Sequence, residues 1–312
     1  MRIVRDFPHC RSDTKGAAVA IGNFDGVHLG HQEILRRCVD MAKDKNIPAA
    51  AMTFEPHPRQ YFAGNGAPLR LYPLRRKIEL LRDMGIDLLF LTRFNRALAT
   101  LSPEAFVAEI LLKQLSARHV VTGEDFAFGN GRGGDSALLA RLAEHNGFGF
   151  TACPQVAGED GQVISSTGIR MLLARGDVGK AAALLGRPYA IEGRVRHGKK
   201  RGRALGFPTA NLALTGLFRP RFGIYAVRME VGGSGQWQGG VASLGVNPTF
   251  GAFEPLLEAH GFAIEHSLYG QRLRVELAGF IRDEARFDSS DDLREQMADD
   301  CLKAKEMLNA YR

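Results

Sequence analysis

Two histidines with three-residue spacing occur in a glycine-rich segment whose composition suits phosphate chemistry. His28 and His31 lie in residues 22–32 (GNFDGVHLGHQ), between an apolar run and a helical pattern. Glycines let the backbone turn tightly, and a helix start presents free N–H groups and a positive dipole end, which favour phosphate. Two imidazoles on one helix face could stabilise the negative charge that builds up on a nucleotide phosphate. The segment therefore predicts phosphoryl or nucleotidyl transfer, which needs no protein nucleophile.

This histidine pair has two plainer interpretations. Both side chains could be ordinary turn residues, or they could belong to a zinc site, although the neighbouring sequence lacks third and fourth ligands. Their position directly after the first apolar run of an α/β pattern favours the phosphate interpretation.

A second glycine-rich segment, residues 129–134 (GNGRGG), matches G-x-G-x-x-G. It lies in the fourth strand–helix connection, and no acidic residue follows about 20 positions later, so the dinucleotide-binding motif is incomplete. We interpret this segment as a flexible loop and not as an NAD site. A Walker A motif is absent from the sequence.

Residues 206–212 (GFPTANL) contain a second candidate phosphate site. The hydroxyl of Thr209 and the side-chain carbonyl of Asn211 are hard oxygen ligands, of the kind that Mg²⁺ takes beside phosphates. An ordinary turn in a barrel is the alternative. The basic run at residues 197–203 precedes this segment, either as a lid over phosphates or as a solvated loop.

Residues 22–32 must be positioned by the elements around them, and the sequence predicts alternating strands and helices over residues 1–185. Strands that are continuous apolar runs and alternate with helices predict a parallel sheet covered on both faces, with ligands beyond the carboxyl ends of its strands. The predicted strands are 17–21, 49–54, 88–91, 119–122 and 148–153. The predicted helices include 34–42, 74–84, one opening at 102–104, and 136–146.

The periodicity of the sequence changes after Gly186, where helical patterns end and short β-rich runs begin. Short β-rich runs at 189–195, 224–231, 240–244 and 273–280 are separated by turn clusters such as residues 232–235. This pattern is typical of an antiparallel barrel, and a final helix is predicted over 291–311. We therefore predict a second domain over residues 186–312.

Composition and charge limit the class of protein. The 312 residues are 45% hydrophobic and carry a net charge of +7, which suits either nucleic acid or phosphate-rich ligands. No apolar run approaches the roughly 18 residues needed to span a bilayer, and the N-terminus lacks a signal-peptide pattern, so we expect a cytoplasmic protein. The four cysteines lie far apart, which favours free thiols over disulfides or zinc.

Residues 22–31 resemble the H-x-G-H signature of the nucleotidyltransferase superfamily, in the longer form found in bacterial FAD synthetases. Four further segments resemble the same family in the same order: 53–58 (TFEPHP), 93–95 (RFN), 123–129 (GEDFAFG) and 164–170 (ISSTGIR). Each follows a predicted strand. The resemblance implies a Rossmann-like α/β domain that transfers AMP from ATP to FMN.

The resemblance also implies roles for individual residues of the first domain. It makes His28 and His31 catalytic, and Ser166, Thr167 and Arg170 part of a mobile phosphate-binding flap. The nucleotide-binding residues implied are Gly22, Asn23, Phe24, Asp25, Gly30, Ser166, Thr167 and Arg170. The flavin-binding residues implied are Phe54, Pro56, Pro58, Asn95, Asp125 and Phe128. Gly168 stands where many relatives carry arginine.

The second half resembles the riboflavin kinase family in residues 206–212, 223–227 (GIYAV), 247–250 (NPTF) and 282–287 (RDEARF). This resemblance implies ATP and Mg²⁺ binding by Gly206, Pro208, Thr209 and Asn211, with Thr209 and Asn211 as the metal ligands, and flavin contact by Arg282. Residues 257–260 (LEAH) match a motif whose glutamate takes the proton from the riboflavin 5′-hydroxyl, which makes Glu258 the candidate base. Ala263 and Ser267 replace expected aspartates.

The whole chain thus resembles bacterial bifunctional riboflavin kinase/FMN adenylyltransferases. The expected ligands are riboflavin, FMN, FAD, ATP and Mg²⁺, without nucleic acid or membrane, in a monomer or weak homo-oligomer. Two alternatives stay open: a nucleotidyltransferase acting on phosphopantetheine or nicotinamide mononucleotide, and a basic RNA-binding or flavin-sensing module without turnover. No nucleic-acid motif with interleaved aromatic residues supports the second alternative.

Overall fold

The computed structural model describes residues 1–5, 14–64, 70–197, 207–246, 255–264 and 268–310. The chain forms two compact units, Met1–Pro68 with Leu74–Ser165, and Leu69–Pro73 with Ser166–Arg312. Sequence analysis places a domain boundary at residue 186, whereas these units divide after Ser165. The boundary at 186 stays a prediction of where the two activities divide.

The first unit contains a six-stranded sheet in the order β1-β4-β3-β2-β5-β6. Every neighbouring pair is parallel, which confirms the predicted sheet. The central strand β2 is buried along its whole length, because apolar layers cover both faces of the sheet. Strand β1 has no counterpart in the sequence prediction. The strands are β1 Arg2–Val4, β2 Ala18–Ile21, β3 Ala49–Glu55, β4 Leu88–Arg93, β5 His119–Gly123 and β6 Gly149–Cys153.

The helices of this unit follow the strands. They are α1 Leu29–Asp44, α2 Pro58–Ala63, α3 Leu74–Asp83, α4 Arg96–Ala99, α5 Pro103–Ala105 and α6 Ser136–Asn146. Ser102 caps α5 as predicted, since its side chain accepts a hydrogen bond from the Ala105 N–H at 3.1 Å. The segment Phe106–Gln114 then continues as a π-helix that buries four apolar side chains, a winding that the sequence pattern does not predict.

The segment at residues 129–134 is a closed turn. Phe128 and Gly134 exchange two backbone hydrogen bonds of 2.9 Å, which enclose a short 3₁₀ turn at Asn130–Arg132. Gly129 has φ +74° and lies against Pro103, where a side chain would not fit. These glycines therefore serve a tight turn, and the arrangement lends no support to the NAD interpretation.

The second unit contains an antiparallel six-stranded sheet in the order β7-β12-β9-β10-β11-β8. The sheet nearly closes into a barrel, because Arg196, just after β7, donates its backbone N–H to the carbonyl of Asn211 in β8 at 2.9 Å. Strands β8 and β11 were not predicted. The strands are β7 Ala190–Arg194, β8 Ala210–Ala213, β9 Gly223–Val231, β10 Trp237–Val246, β11 Pro255–Gly261 and β12 Arg272–Arg282.

Three helices accompany this barrel: α7 Ser166–Arg175, α8 Val178–Leu185 and α9 Ser290–Ala310. Helix α9 agrees with the predicted C-terminal helix, whereas α7 and α8 are additions. Cys301 and Ala304 of α9 pack in one buried cluster with Ala226 and Val241 of the barrel. One face of the barrel sheet is therefore covered by α9.

The described residues also bear on the expectations for cysteines, metal-binding clusters and membrane-spanning helices. Cys38, Cys153 and Cys301 are free and buried, as predicted, whereas Cys10 lies outside those residues. The described part of the chain has no cluster of three or more metal-binding side chains of the His, Cys, Asp or Glu type. None of its helices has both the length and the apolar character needed to cross a membrane.

His119, at the amino end of β5, makes the stability of the first unit sensitive to acid. The residue is 6% exposed, and its Nε2 shares a 2.8 Å hydrogen bond with Thr151 Oγ1. Burial lowers the pKa of His119 below its ordinary value, and the positive charge of Lys45 lowers it further. Below about pH 6.5 the unfolded chain therefore binds more protons than the folded one, and stability falls with falling pH.

We expect His119→Gln to flatten this dependence, because glutamine can keep a hydrogen bond to Thr151 without titrating. Below pH 6.5 the unfolding free energy of the unsubstituted protein should fall more steeply than that of the variant, by at most about 1.4 kcal/mol per pH unit. Urea unfolding of the first unit between pH 5 and 8 measures both slopes. Equal slopes would show that His119 does not carry the effect.

Candidate active sites

The loop between β2 and α1 lies at the carboxyl edge of the parallel sheet. Phe24 and Val27 adopt positive φ values of 48° and 43°, a conformation that non-glycine residues seldom take. Both side chains are buried, at 0% and 1% exposure, so apolar burial offsets the backbone strain. The loop is therefore a rigid turn directly in front of the helix.

His28 and His31 lie together at the start of α1, as predicted. His28 is the N-cap residue, and its Nδ1 accepts the His31 backbone N–H at 3.4 Å. The two rings stack with their centroids 3.6 Å apart and an angle of 22° between planes. Gly30 has no side chain where a Cβ would lie only 3.3 Å from the His28 ring. The glycine between the histidines thus permits their stacking.

Two buried side chains, one from β3 and one from α3, contact the backbone of the loop between β2 and α1. The carbonyl of Asn23 accepts hydrogen bonds from Thr53 Oγ1 at 3.1 Å and from Lys77 Nζ at 2.8 Å. Lys77 is 5% exposed and was missed by sequence reasoning. A signal did exist: it takes a position in the stripe of α3 whose other buried members are Leu80 and Leu81.

The predicted flavin-binding residues lie at the end of β3, where Phe54 is the penultimate residue, and in the segments that follow β3, β4 and β5. Phe54 contacts Phe94 edge to face at 5.9 Å, and Pro56 and Pro58 follow it, with Pro58 opening α2. Asn95 caps α4 by accepting the Leu98 N–H at 3.0 Å. Asp125 is exposed, whereas Phe128 is 6% exposed and packs in the main core cluster. Asn95 and Phe128 therefore have structural contacts, and their flavin contacts stay predictions.

An exposed aromatic group at this edge was not predicted. Tyr61 and Phe62 of α2 are 39% and 70% exposed, and their ring centroids lie 5.3 and 5.7 Å from that of Phe94. Exposed aromatic rings in contact with one another form a platform on which a planar ring system can stack. The sequence signal was the adjacent Tyr61-Phe62 pair after the 53–58 motif.

The predicted flap residues occupy the first turns of α7, which belongs to the second compact unit. Ser166 and Arg170 are partly exposed and Thr167 is exposed. Arg170 donates from Nη1 to the Ser166 carbonyl at 3.0 Å. Hydroxyl groups at a helix start together with a guanidinium suit phosphate binding.

In the barrel, strand pairing brings the two predicted kinase residues together. Glu258 of β11 is directly opposite Asn211 of β8 and, on its other side, opposite Ser243 of β10. Directly opposed residues point to the same face of a sheet, so the carboxylate, the amide and the hydroxyl share one face. Asn211 is 5% exposed, and Glu258 is partly exposed.

His260, two residues beyond Glu258, fixes the segment that carries Thr209. The carbonyl of Pro208 accepts a hydrogen bond of 2.9 Å from His260 Nδ1, which must therefore carry a proton. The Phe207 ring contacts His260 edge to face at 5.4 Å. Pro208 is exposed and Thr209 is partly exposed, so ligands can reach this segment.

Arg282, predicted to bind flavin, is engaged elsewhere in the structure. Its guanidinium forms a bidentate ion pair with Asp300 of α9, with N–O distances of 2.6 and 2.8 Å. Asp300 is 3% exposed. These contacts fasten α9 to the end of β12, and flavin contact by Arg282 stays a prediction.

Glu284, two residues later, lies in the 282–287 motif and has no role in the sequence prediction. Its carboxylate lies over the backbone of Gly245, where a side chain would collide with it. Burial raises the pKa of Glu284. A second carboxylate therefore lies against β10, two residues along from Ser243.

Several predictions fall outside the described residues. They concern Gly206, residues 247–250, Ser267 and the basic residues 199–203. His197, which precedes the basic run, is described and stacks on Tyr269 with ring centroids 4.0 Å apart.

Comparison with known proteins gives matches over nearly the whole chain. A family model described as FAD synthetase matches residues 10–168, and one described as riboflavin kinase matches residues 185–308. These two ranges contain the histidine pair and the Asn211–Glu258 pair, respectively.

Curated relatives match at full length. The bifunctional riboflavin kinase/FMN adenylyltransferases of Haemophilus influenzae and Escherichia coli K12 are each 40% identical over 310 residues, covering 99% of this chain and 100% and 98% of theirs. The Pseudomonas fluorescens protein of the same name is 39% identical over 306 residues, covering 98% and 97%. A crystal structure from Streptococcus pneumoniae, named a macrolide-efflux protein, is 31% identical with a TM-score of 0.81, covering 96% and 97%.

Proposed function

The chain belongs to the bifunctional riboflavin kinase/FMN adenylyltransferase family, and on that premise we propose which of its residues perform each reaction. It phosphorylates riboflavin with ATP to give FMN, then transfers AMP from ATP to FMN, giving FAD and pyrophosphate. The observation that carries this conclusion is that each family model covers one of the two candidate sites. We assign residues 1–185 to adenylyl transfer and residues 186–312 to the kinase.

For adenylyl transfer, residues 22–31 bind the phosphates of ATP. A phosphate oxygen of FMN attacks the α-phosphorus of ATP, and the bond from that phosphorus to the β-bridging oxygen breaks as pyrophosphate leaves. His28 and His31 donate hydrogen bonds to the charge that develops on the phosphate oxygens, together with free N–H groups at the start of α1. Gly22, Asn23, Phe24, Asp25 and Gly30 shape this cradle. The geometry that supports the assignment is the stacked pair at the helix N-terminus.

Ser166, Thr167 and Arg170 bind phosphate oxygens of ATP. Two hydroxyls and a guanidinium at a helix start match phosphate oxygens in hydrogen-bonding type and in charge. Their accessibility in the first turns of α7 supports this role.

The flavin ring of FMN lies against the aromatic side chains at the carboxyl edge of the parallel sheet. Phe54, Pro56 and Pro58 line this region, and the exposed rings of Tyr61 and Phe62 supply a stacking surface. Asn95, Asp125 and Phe128 complete the proposed flavin contacts.

For the kinase reaction, Glu258 accepts the proton of the riboflavin 5′-hydroxyl as that oxygen attacks the γ-phosphorus of ATP and ADP leaves. Gly206, Pro208, Thr209 and Asn211 hold the nucleotide, and Arg282 completes the flavin side. The side chains of Thr209 and Asn211 would hold Mg²⁺, since their neutral oxygens beside a carboxylate form a hard donor set. When bound, the ion neutralises phosphate charge.

The Mg²⁺ assignment predicts the behaviour of Asn211→Ala. Loss of one proposed ligand should lower FMN formation by roughly 100-fold at low Mg²⁺ and move half-saturation to higher Mg²⁺ concentration. Asn211→Asp, which keeps an oxygen ligand, should retain more activity than Asn211→Ala. FMN formation measured across a MgCl₂ titration gives both values, while FAD formation from supplied FMN serves as the internal control. A titration curve identical to that of the unsubstituted protein would exclude Asn211 as a ligand.

The activities themselves are tested by incubating the purified chain with riboflavin, ATP and Mg²⁺ and separating the products. FMN and then FAD should accumulate, and chelation of Mg²⁺ should stop the kinase step. Absence of both products would refute the function. We further propose that the enzyme acts in the cytoplasm without nucleic acid or membrane, because its substrates are small water-soluble molecules. A monomer or weak homo-oligomer is our proposal for its oligomeric state. Size-exclusion chromatography with light scattering tests the oligomeric state.

A further inference from the structure

We infer that Lys77, which lies outside every motif of the active site, is a positioning residue for adenylyl transfer. Its buried ammonium group fixes the carbonyl of Asn23 and thereby holds the strained backbone of the loop that leads to the histidine pair. This inference rests on the proposed role of residues 22–31 as the ATP-phosphate site.

The contact is short and buried. Lys77 Nζ lies 2.8 Å from the Asn23 carbonyl oxygen and 3.5 Å from Thr53 Oγ1, and Thr53 itself donates to the same carbonyl at 3.1 Å. Lys77 is 5% exposed and Thr53 is 0% exposed. Since a charged hydrogen bond is about twice as strong as a neutral one, the lysine supplies the larger part of this restraint.

The geometry of the peptide bond converts this restraint into an orientation of the next N–H group. In a trans peptide the carbonyl of one residue and the N–H of the next point in opposite directions. Because Lys77 and Thr53 hold the Asn23 carbonyl toward the protein interior, the Phe24 N–H points away from α3. Phe24 is itself 0% exposed, so the restraint acts on the loop through the orientation of this peptide and not through direct contact of its N–H with the ligand.

The backbone strain of the loop explains why a restraint is needed. Phe24 follows the fixed peptide directly and has φ 48°, and Val27 has φ 43°. Such conformations persist only where the surroundings determine them. At the other end of the loop, Gln32 donates to the Val27 carbonyl at 2.9 Å. The loop is thus held at both ends, with the lysine at the end nearest the sheet.

An apolar residue would be the ordinary occupant of this position in α3. A buried ammonium is costly to desolvate unless it is hydrogen-bonded, and a methionine or leucine would pack there without that cost. A cation beneath a loop that receives polyphosphate also adds attraction for the ligand in a site where water screens little. Both effects act on ATP rather than on the flavin.

Lys77→Met tests the inference, because it removes the donor and the charge while keeping a side chain of similar length. We expect kcat for FAD formation from FMN to fall roughly 10- to 100-fold and the KM for ATP to rise. The KM for FMN should stay within twofold, and so should the kinase activity of the same protein. Lys113→Met, a matched change at an exposed site of the same unit, should leave both activities within twofold.

Lys77→Gln separates positioning from simple loss of stability. Glutamine keeps an N–H donor, so it should recover part of the rate that methionine loses, and thermal unfolding and near-UV circular dichroism show whether each variant is folded. The inference is overturned if folded Lys77→Met makes FAD within twofold of the unsubstituted rate, or if the KM values for ATP and FMN rise equally. Should methionine prevent folding, a folded glutamine variant with unchanged KM for ATP and unchanged kcat would overturn it as well. If the unsubstituted protein makes no FAD, the proposed function fails instead.

Discussion

His31→Ala is expected to abolish FAD formation while FMN formation from riboflavin continues at its normal rate. In the proposed mechanism this imidazole donates a hydrogen bond to charge that develops on the transferred phosphate, and loss of one such donor costs roughly 100- to 1,000-fold in kcat. The residues proposed for the kinase reaction lie in the other compact unit, so the first reaction should supply FMN that then accumulates. Chromatographic separation of riboflavin, FMN and FAD over time measures both steps in one sample.

The choice of His31 over His28 keeps the result interpretable. His28 caps α1 through its Nδ1, so its loss would weaken the helix start as well as the chemistry. His31→Gln, which retains an N–H donor, should lose less activity than His31→Ala. His145→Ala, at an exposed histidine of the same unit, is the matched control. Normal FAD formation by folded His31→Ala would remove the histidine pair from the mechanism.

Glu258→Gln is expected to show the opposite pattern, with FMN formation lost and FAD formation from supplied FMN retained. The amide has the shape of the carboxylate and preserves the β8–β11 pairing with Asn211, but it cannot accept the hydroxyl proton. Loss of a general base costs roughly 100- to 10,000-fold in rate. Initial rates with riboflavin, and separately with FMN, distinguish the two reactions.

Two controls sharpen this result. Glu258→Asp keeps a base at a longer distance and should retain more activity than the glutamine variant. Glu295→Gln, an exposed glutamate of α9, should change neither reaction. If folded Glu258→Gln phosphorylates riboflavin normally, another group is the base, and Glu284 beside β10 is the next carboxylate to test. Loss of both products in either folded single variant would contradict the assignment to two separate sites.

Sequence reasoning was most successful where chemistry depends on local spacing. The histidine pair, its helix start and the glycine between the rings all lie within four residues, and helical geometry alone places them on one face. The parallel strands were also predictable, since each is a continuous apolar run. Strands β8 and β11 were missed because β8 has only four residues and β11 carries His260 and Glu258 on its partly exposed face.

The contacts that complete each site join residues far apart in the chain. Lys77 lies 54 residues from Asn23, and His260 lies 52 residues from Pro208. Arg282 was assigned to flavin from its motif, yet its guanidinium pairs with Asp300, which only the docking of α9 brings within reach. No periodic pattern in the sequence encodes such pairs.

The two-part architecture could be derived from the residues alone, and so could the tight turn at residues 22–32 and the chemical types of its candidate groups, because these follow from local backbone preferences and apolar periodicity. The folded structure was needed to show that Glu258 faces Asn211, that the buried Lys77 contacts the Asn23 carbonyl and that Phe128 belongs to the core. The physical reason is that strand register and burial arise from packing between distant segments, which minimises exposed apolar area over the whole unit and not within any one stretch of sequence.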